Sequence, residues 1–139
     1  MTRFVLDASI TLSWFIDPSV APLAKRVQQL LLKGARAIVP HLWRPEVANG
    51  FVIAQRRSIL SPVRCAQALS ELDLLQAASI ENAPHDLSVL RIAAVAQQFA
   101  LTAYDATYLE TARELQLPLA TLDRALCAAA AQAGVALIA

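Results

Sequence analysis

The chain has 139 residues, 57% of them hydrophobic and only 17% charged, with a formal net charge of +1. That length fits one domain, taken as 1–139, which buries roughly two-thirds of its unfolded surface. The charge balance excludes a protein that holds polyanions on a broadly basic face, and the low charged fraction leaves apolar surface for a partner. Cys65 and Cys127 have no CxxC and no His at ligand spacing, which excludes a zinc site and leaves both as small buried helix residues. The start at Met1 lacks the apolar run of a signal peptide, and no long uncharged apolar stretch follows, so the expected location is cytoplasmic with no membrane contact.

In chain order, Arg3 to Leu6 is a strand-length apolar run, followed by a helix that Asp17-Pro18 breaks and a second that Lys33-Gly34 ends. Ala35 to Val39 is the next strand. Two helices follow, roughly His41 to Arg57 and Ser61 to Ala77, the latter started by Ser61-Pro62. Ser79 to Asn82 is the third strand. Thr102 and Asp105 have capping-box spacing before a helix over Tyr104 to Gln116. Leu119 to Leu122 is the fourth strand, a helix closed by Gly134 comes next, and Val135 to Ile138 is the fifth. This βαβ rhythm predicts an α/β fold: a mostly parallel five-stranded sheet covered by helices on both faces, with a helical hairpin inserted between the second and third strands. That hairpin is a candidate clamp or dimer surface.

Four acids stand where an acid is costly. Asp7 follows Phe4-Val5-Leu6, Glu46 lies in an apolar helix with Asn49 one turn on, Asp105 opens a helix, and Asp123 follows Leu119-Ala120-Thr121-Leu122. Ligands of open parallel sheets bind beyond the carboxyl ends of the strands. In the order 3-2-1-4-5, the strands leading to Asp7 and Asp123 are neighbours, and both acids open onto one cleft. Each acid alone has an ordinary reading: helix caps for Asp7, Asp105 and Asp123, a solvated face for Glu46. Together they repel, since two unit charges about 4 Å apart cost on the order of 4 kcal/mol at an effective dielectric of 20. A divalent cation resolves the repulsion. All-oxygen ligands favour Mg²⁺ or Mn²⁺, one or two ions, which suits phosphodiester hydrolysis.

Asp7-Ala8-Ser9, Pro45-Glu46-Val47-Ala48-Asn49, Tyr104-Asp105-Ala106 and Thr121-Leu122-Asp123-Arg124-Ala125-Leu126, in this order, resemble the PIN domain nearly end to end. The short form with Trp14-Phe15 is similar to the VapC toxins of toxin–antitoxin pairs. The resemblance implies that Asp7, Glu46, Asp105 and Asp123 bind Mg²⁺ or Mn²⁺ and are the catalytic groups of an endoribonuclease, with Ser9, Asn49 and Thr121 in support. It makes Arg3, Arg44 and Arg124 candidates for the RNA backbone. It also implies a homodimer and a VapB-like antitoxin, with Leu30, Leu31, Leu32, Leu69, Leu72 and Leu75 as candidate apolar contacts. Two alternatives stay open: a non-catalytic PIN-like binding module, and a nuclease that has no antitoxin. A receiver domain does not fit, because the last lysine is Lys33; nor does a haloacid-dehalogenase-type phosphatase, because Ser9 stands where a second acid is needed.

Overall fold

The computed structural model describes residues 2–139. Its elements run β1 (Arg3–Leu6), α1 (Ala8–Ile16), α2 (Pro22–Leu32), β2 (Arg36–Val39), α3 (Trp43–Arg56), α4 (Pro62–Ser79), β3 (Ile80–Asn82), α5 (Val89–Phe99), α6 (Ala103–Leu115), β4 (Leu119–Ala120) and α7 (Arg124–Ala133). The sheet is parallel in the order β3-β2-β1-β4. Phe4, Val5 and Leu6 are fully buried, as a central parallel strand covered on both faces requires. Each such side chain contributes about 1.5–3 kcal/mol.

The expected fifth strand is reduced to one parallel bridge, Leu119 to Leu137, flanked by hydrogen bonds from Leu119 N to Ala136 O and from Ile138 N to Leu119 O. The sheet therefore has four strands, and the last segment lies beside β4 where a fifth would. The physical reason is length: β4 spans two residues before its chain turns away at Thr121, so there is little ladder to extend.

Every crossover carries two helices, and the pair α3–α4 is the hairpin expected between the second and third strands. α1 to α4 pack among themselves, as do α5 to α7. The chain moves outward from β1 to β3 and then returns past β1 to β4, so right-handed crossovers put these two groups on opposite faces. Ser61 accepts a hydrogen bond from Arg64 N and Pro62 occupies the first helical position, which starts α4 sharply. Gly34 and Gly134 take positive φ at the ends of α2 and α7. Among the described residues, no helix is long and apolar enough to cross a membrane. Cys65 is buried as expected, whereas Cys127 is only partly so, because it stands in the first turn of α7 among the exposed residues Arg124, Ala125 and Ala128.

Candidate active site

Asp7 leaves β1 at the carboxyl edge of the sheet and is 5% exposed. It occupies the N-cap position of α1, but its side chain does not cap that helix. Its Oδ2 instead accepts two hydroxyl donors, Ser9 Oγ at 2.5 Å and Thr121 Oγ1 at 2.8 Å. Those hydroxyls are themselves fixed: Ser9 Oγ accepts from Leu122 N at 3.0 Å, and Thr121 Oγ1 from Asp123 N at 3.0 Å. Two of the expected supporting residues thus lock the exit of β4 onto the start of α1. With Oδ2 occupied by both hydroxyls, Oδ1 is the oxygen left for a further ligand.

The structure brings the other three acids to the same edge. Glu46 lies in the first turn of α3 and accepts from the Tyr108 hydroxyl at 2.8 Å. Asp105 lies in the first turn of α6, a helix that Thr102 caps through Asp105 N at 3.1 Å. Asp123 caps α7, accepting from Leu126 N at 2.8 Å.

Burial is the main cause of the raised proton affinity of three of the four. It pushes Asp7 above the usual carboxylate range, against the bonds from Ser9 and Thr121, with the Asp123 charge adding to it. Burial raises Glu46 as well, opposed by Tyr108 and reinforced by Asp7 and Asp105. Asp105 is pushed up to about 6 by burial and by the charges of Asp123 and Asp7. The acids therefore feel one another as one cluster. Among the described residues, no Lys, Arg or His nitrogen lies within 4.0 Å of any of the four, whereas Glu71, Glu81, Asp86, Glu110 and Glu114 all have such a partner.

The remaining candidates divide. Arg124 is exposed beside Asp123, and Arg44 is exposed at the start of α3, where Nη1 donates to Asn82 Oδ1 at 2.6 Å. Arg3 begins β1, at the opposite edge of the sheet from Asp7, and pairs with Glu81 at 3.6 Å. Asn49 is exposed one turn beyond Glu46 and makes no hydrogen bond to the four acids. Of the leucines offered as partner contacts, Leu31 and Leu72 are core, while Leu32 and Leu69 are exposed. Sequence reasoning missed Tyr108. Its signal was its place three residues after Asp105, on the same helical row.

Among the described residues, no three of the His, Cys, Asp and Glu side chains are gathered closely enough to hold a metal ion between them. The donor set still fits a hard cation. Mg²⁺ characteristically keeps several waters and takes only one or two carboxylates directly, rather than an all-protein cage.

Solved structures with this fold include PAE2754 from Pyrobaculum aerophilum, 25% identical with a TM-score of 0.69, the match covering 92% of this chain and 84% of that one. FitAcB from Neisseria gonorrhoeae is 18% identical with a TM-score of 0.63, over 98% and 96% of the two chains. VapBC2 from Rickettsia felis, solved bound to a DNA fragment from its promoter, is 15% identical with a TM-score of 0.61, over 98% and 97%. No curated protein matches the chain. The family model described as PIN domain matches residues 4–132. With the match running through all four acids and nearly the whole sheet, the chain belongs to the PIN domain family.

Proposed function

We propose that this protein is a metal-dependent endoribonuclease that hydrolyses RNA phosphodiester bonds, and that it is the toxin of a toxin–antitoxin pair, inhibited by a VapB-like antitoxin. The observation that carries this reading is the cluster of Asp7, Glu46, Asp105 and Asp123, mutually repelling and without a cation from the protein. PIN domains are generally nucleases, and the fold shared with FitAcB and VapBC2 supports the toxin reading. A homodimer acting in the cytoplasm belongs to the same proposal.

Asp7, Glu46, Asp105 and Asp123 would hold Mg²⁺ or Mn²⁺, which when bound supplies Lewis-acid stabilisation of charge on the phosphate. The protein's part is positioning. Ser9 and Thr121 fix Asp7 by one oxygen and leave the other without a hydroxyl donor. Tyr108 holds Glu46 by one oxygen. Arg124 and Arg44, both exposed at this edge, would contact phosphates on either side of the cut. Asp105 must be ionised to serve as a ligand, so cation affinity is expected to fall below pH about 6.

The test is incubation of the partner-free protein with total cellular RNA, with Mn²⁺, with EDTA, and with the Asp7→Asn variant, mapping new ends by sequencing. Cuts that need the metal and vanish in the variant are expected. Cleavage by Asp7→Asn at the wild-type rate would overturn the mechanism. For the partner, co-purification with the product of an adjacent reading frame, together with loss of cleavage in the complex, is expected. Undiminished cleavage in that complex would remove the antitoxin from the proposal.

A further inference from the structure

A cavity of about 400 Å³ opens beside the acid cluster, at the carboxyl ends of β2 and β3. Its walls include His41 ahead of α3, His85 and Leu87 ahead of α5, and Tyr104, Thr107 and Thr111 along one side of α6. These three recur at i, i+3 and i+7, while Asp105 and Tyr108 occupy the adjacent row of the same helix and serve the acid cluster. The first three turns of α6 are thus a shared wall, with Asp105 and Tyr108 on one side and the cavity on the other. A nucleic-acid strand crossing that helix end would meet both.

The lining decides what the cavity can take. It contains no Lys or Arg but does contain Asp86, and each of its two imidazoles faces a carboxylate, His41 that of Asp86 at 3.6 Å and His85 that of Glu114 at 2.8 Å. A lining with a carboxylate and without Lys or Arg does not suit a phosphate. The volume lies in the range of small-ligand sites, and the walls are mostly apolar with a few polar groups, as such sites are. Tyr104 is 65% exposed, so its ring is free to stack. The Thr107 and Thr111 hydroxyls donate to Ala103 O at 2.8 Å and Thr107 O at 2.7 Å, which leaves their oxygens as acceptors for ring N–H groups. A neutral, flat ring with N–H edges satisfies all of these conditions.

We propose that this cavity binds an unpaired base of the RNA substrate, stacked on Tyr104, and so selects the nucleotide at one fixed position relative to the cut. The inference rests on the nuclease reading above for its substrate and adds a specificity site to it.

The test compares wild type, Tyr104→Ala and Tyr104→Phe. Binding of a short mixed-sequence single-stranded RNA is measured in EDTA, and cut sites are mapped in Mn²⁺. Tyr104→Ala is expected to weaken binding about tenfold, within the range for loss of one stacked base. It is also expected to flatten the base preference at one position beside the cut, while Tyr104→Phe retains both properties. Unchanged binding and preference in Tyr104→Ala, with wild type cutting, would overturn the cavity assignment and leave the nuclease standing. Absence of metal-dependent cutting by wild type would remove the nuclease, and the EDTA binding comparison would still decide the cavity. A change in solution mass in Tyr104→Ala without a change in RNA binding would make this face a contact between copies of the chain and overturn the proposal.

Discussion

The Tyr108 hydroxyl donates to Glu46 Oε1 at 2.8 Å, joining residues 62 positions apart and tying α6 to α3 at the edge where the acids gather. Tyr108 is fully buried, and its phenol is pushed far above its ordinary range by burial and then by the neighbouring Glu46. It therefore remains a donor throughout the neutral range. Because this bond lowers the proton affinity of Glu46, it favours the ionised form that a cation would need.

Tyr108→Phe removes only that donor. Hydrogen bonds to charged groups contribute about 1.5–3 kcal/mol, and the partial exposure of Glu46 lets water replace some of it, so a loss near 1 kcal/mol is expected in urea denaturation. Glu46 is also expected to titrate at higher pH than in wild type, which carboxyl-carbon NMR would detect. An unmoved Glu46 titration would show that Tyr108 does not hold its charge.

The raised carboxylates make the metal-free protein less stable as pH rises. Asp105 goes from 3.8 to about 6 on folding, so between those values the folded state binds more protons than the unfolded one. Its contribution is fully present below about pH 4 and is lost as pH climbs through about 6. Asp7 and Glu46 act in the same direction. In EDTA, Asp105→Asn is expected to raise Tm at pH 7.5 and to flatten the dependence of Tm on pH between about 4 and 6. A variant that melts lower than wild type at pH 7.5 would mean that the repulsion is already relieved without a cation.

The sequence disclosed the acids because each interrupts an apolar pattern, and it disclosed α2, α4 and α7 because Gly34, Pro62 and Gly134 mark their ends. The ordinary capping reading and the functional one turn out to coexist. Asp123 does cap α7 and Thr102 does cap α6, yet both helices begin at the cluster, and of the four acids Asp123 alone caps through its own carboxylate. The sequence does not delimit α5, since this helix buries only Val95 along its length, leaves Val89 and Leu90 exposed, and ends at Ala100 in the left-handed conformation without a glycine. Arg3 illustrates a different limit. It is four residues from Asp7, but along a strand that is about 13 Å, the full height of the sheet. The pairing of Tyr108 with Glu46 depends on how α3 and α6 meet over the sheet, which no local pattern encodes.

Ser9 and Thr121 share one oxygen of Asp7, and Thr121→Val removes a hydroxyl without changing shape much. The fold is expected to survive, while the orientation of Asp7 and of the Asp123 backbone loosens. Partners of this kind typically govern cation affinity or activity by 10–100-fold. Titrating Mn²⁺ against the rise in Tm would measure the loss in Thr121→Val, in Ser9→Ala and in the double variant. Because both hydroxyls act on Oδ2, the two losses are expected to be non-additive. Strict additivity would indicate independent roles.

Away from the cluster, Glu110 on α6 is 2% exposed, and its Oε1 accepts from Arg91 Nε at 3.1 Å and Nη2 at 2.6 Å on α5. Arg113 approaches the other oxygen at 3.6 Å, which leaves Oε2 without a hydrogen bond. Arg91 is half exposed, so the pair lies between the surface and interior cases. Breaking a buried pair leaves an uncompensated charge and costs about 3–5 kcal/mol; Arg91→Ala is expected near the lower figure. Replacing both residues by leucine is expected to recover most of that loss, because the penalty belongs to the stranded carboxylate more than to the missing attraction. Urea midpoints of the two variants decide between these terms. A loss below about 1 kcal/mol in Arg91→Ala would show that water or Arg113 neutralises Glu110, as at a surface pair. A double variant no more stable than Arg91→Ala would show that the α5–α6 contact depends on the ion pair itself.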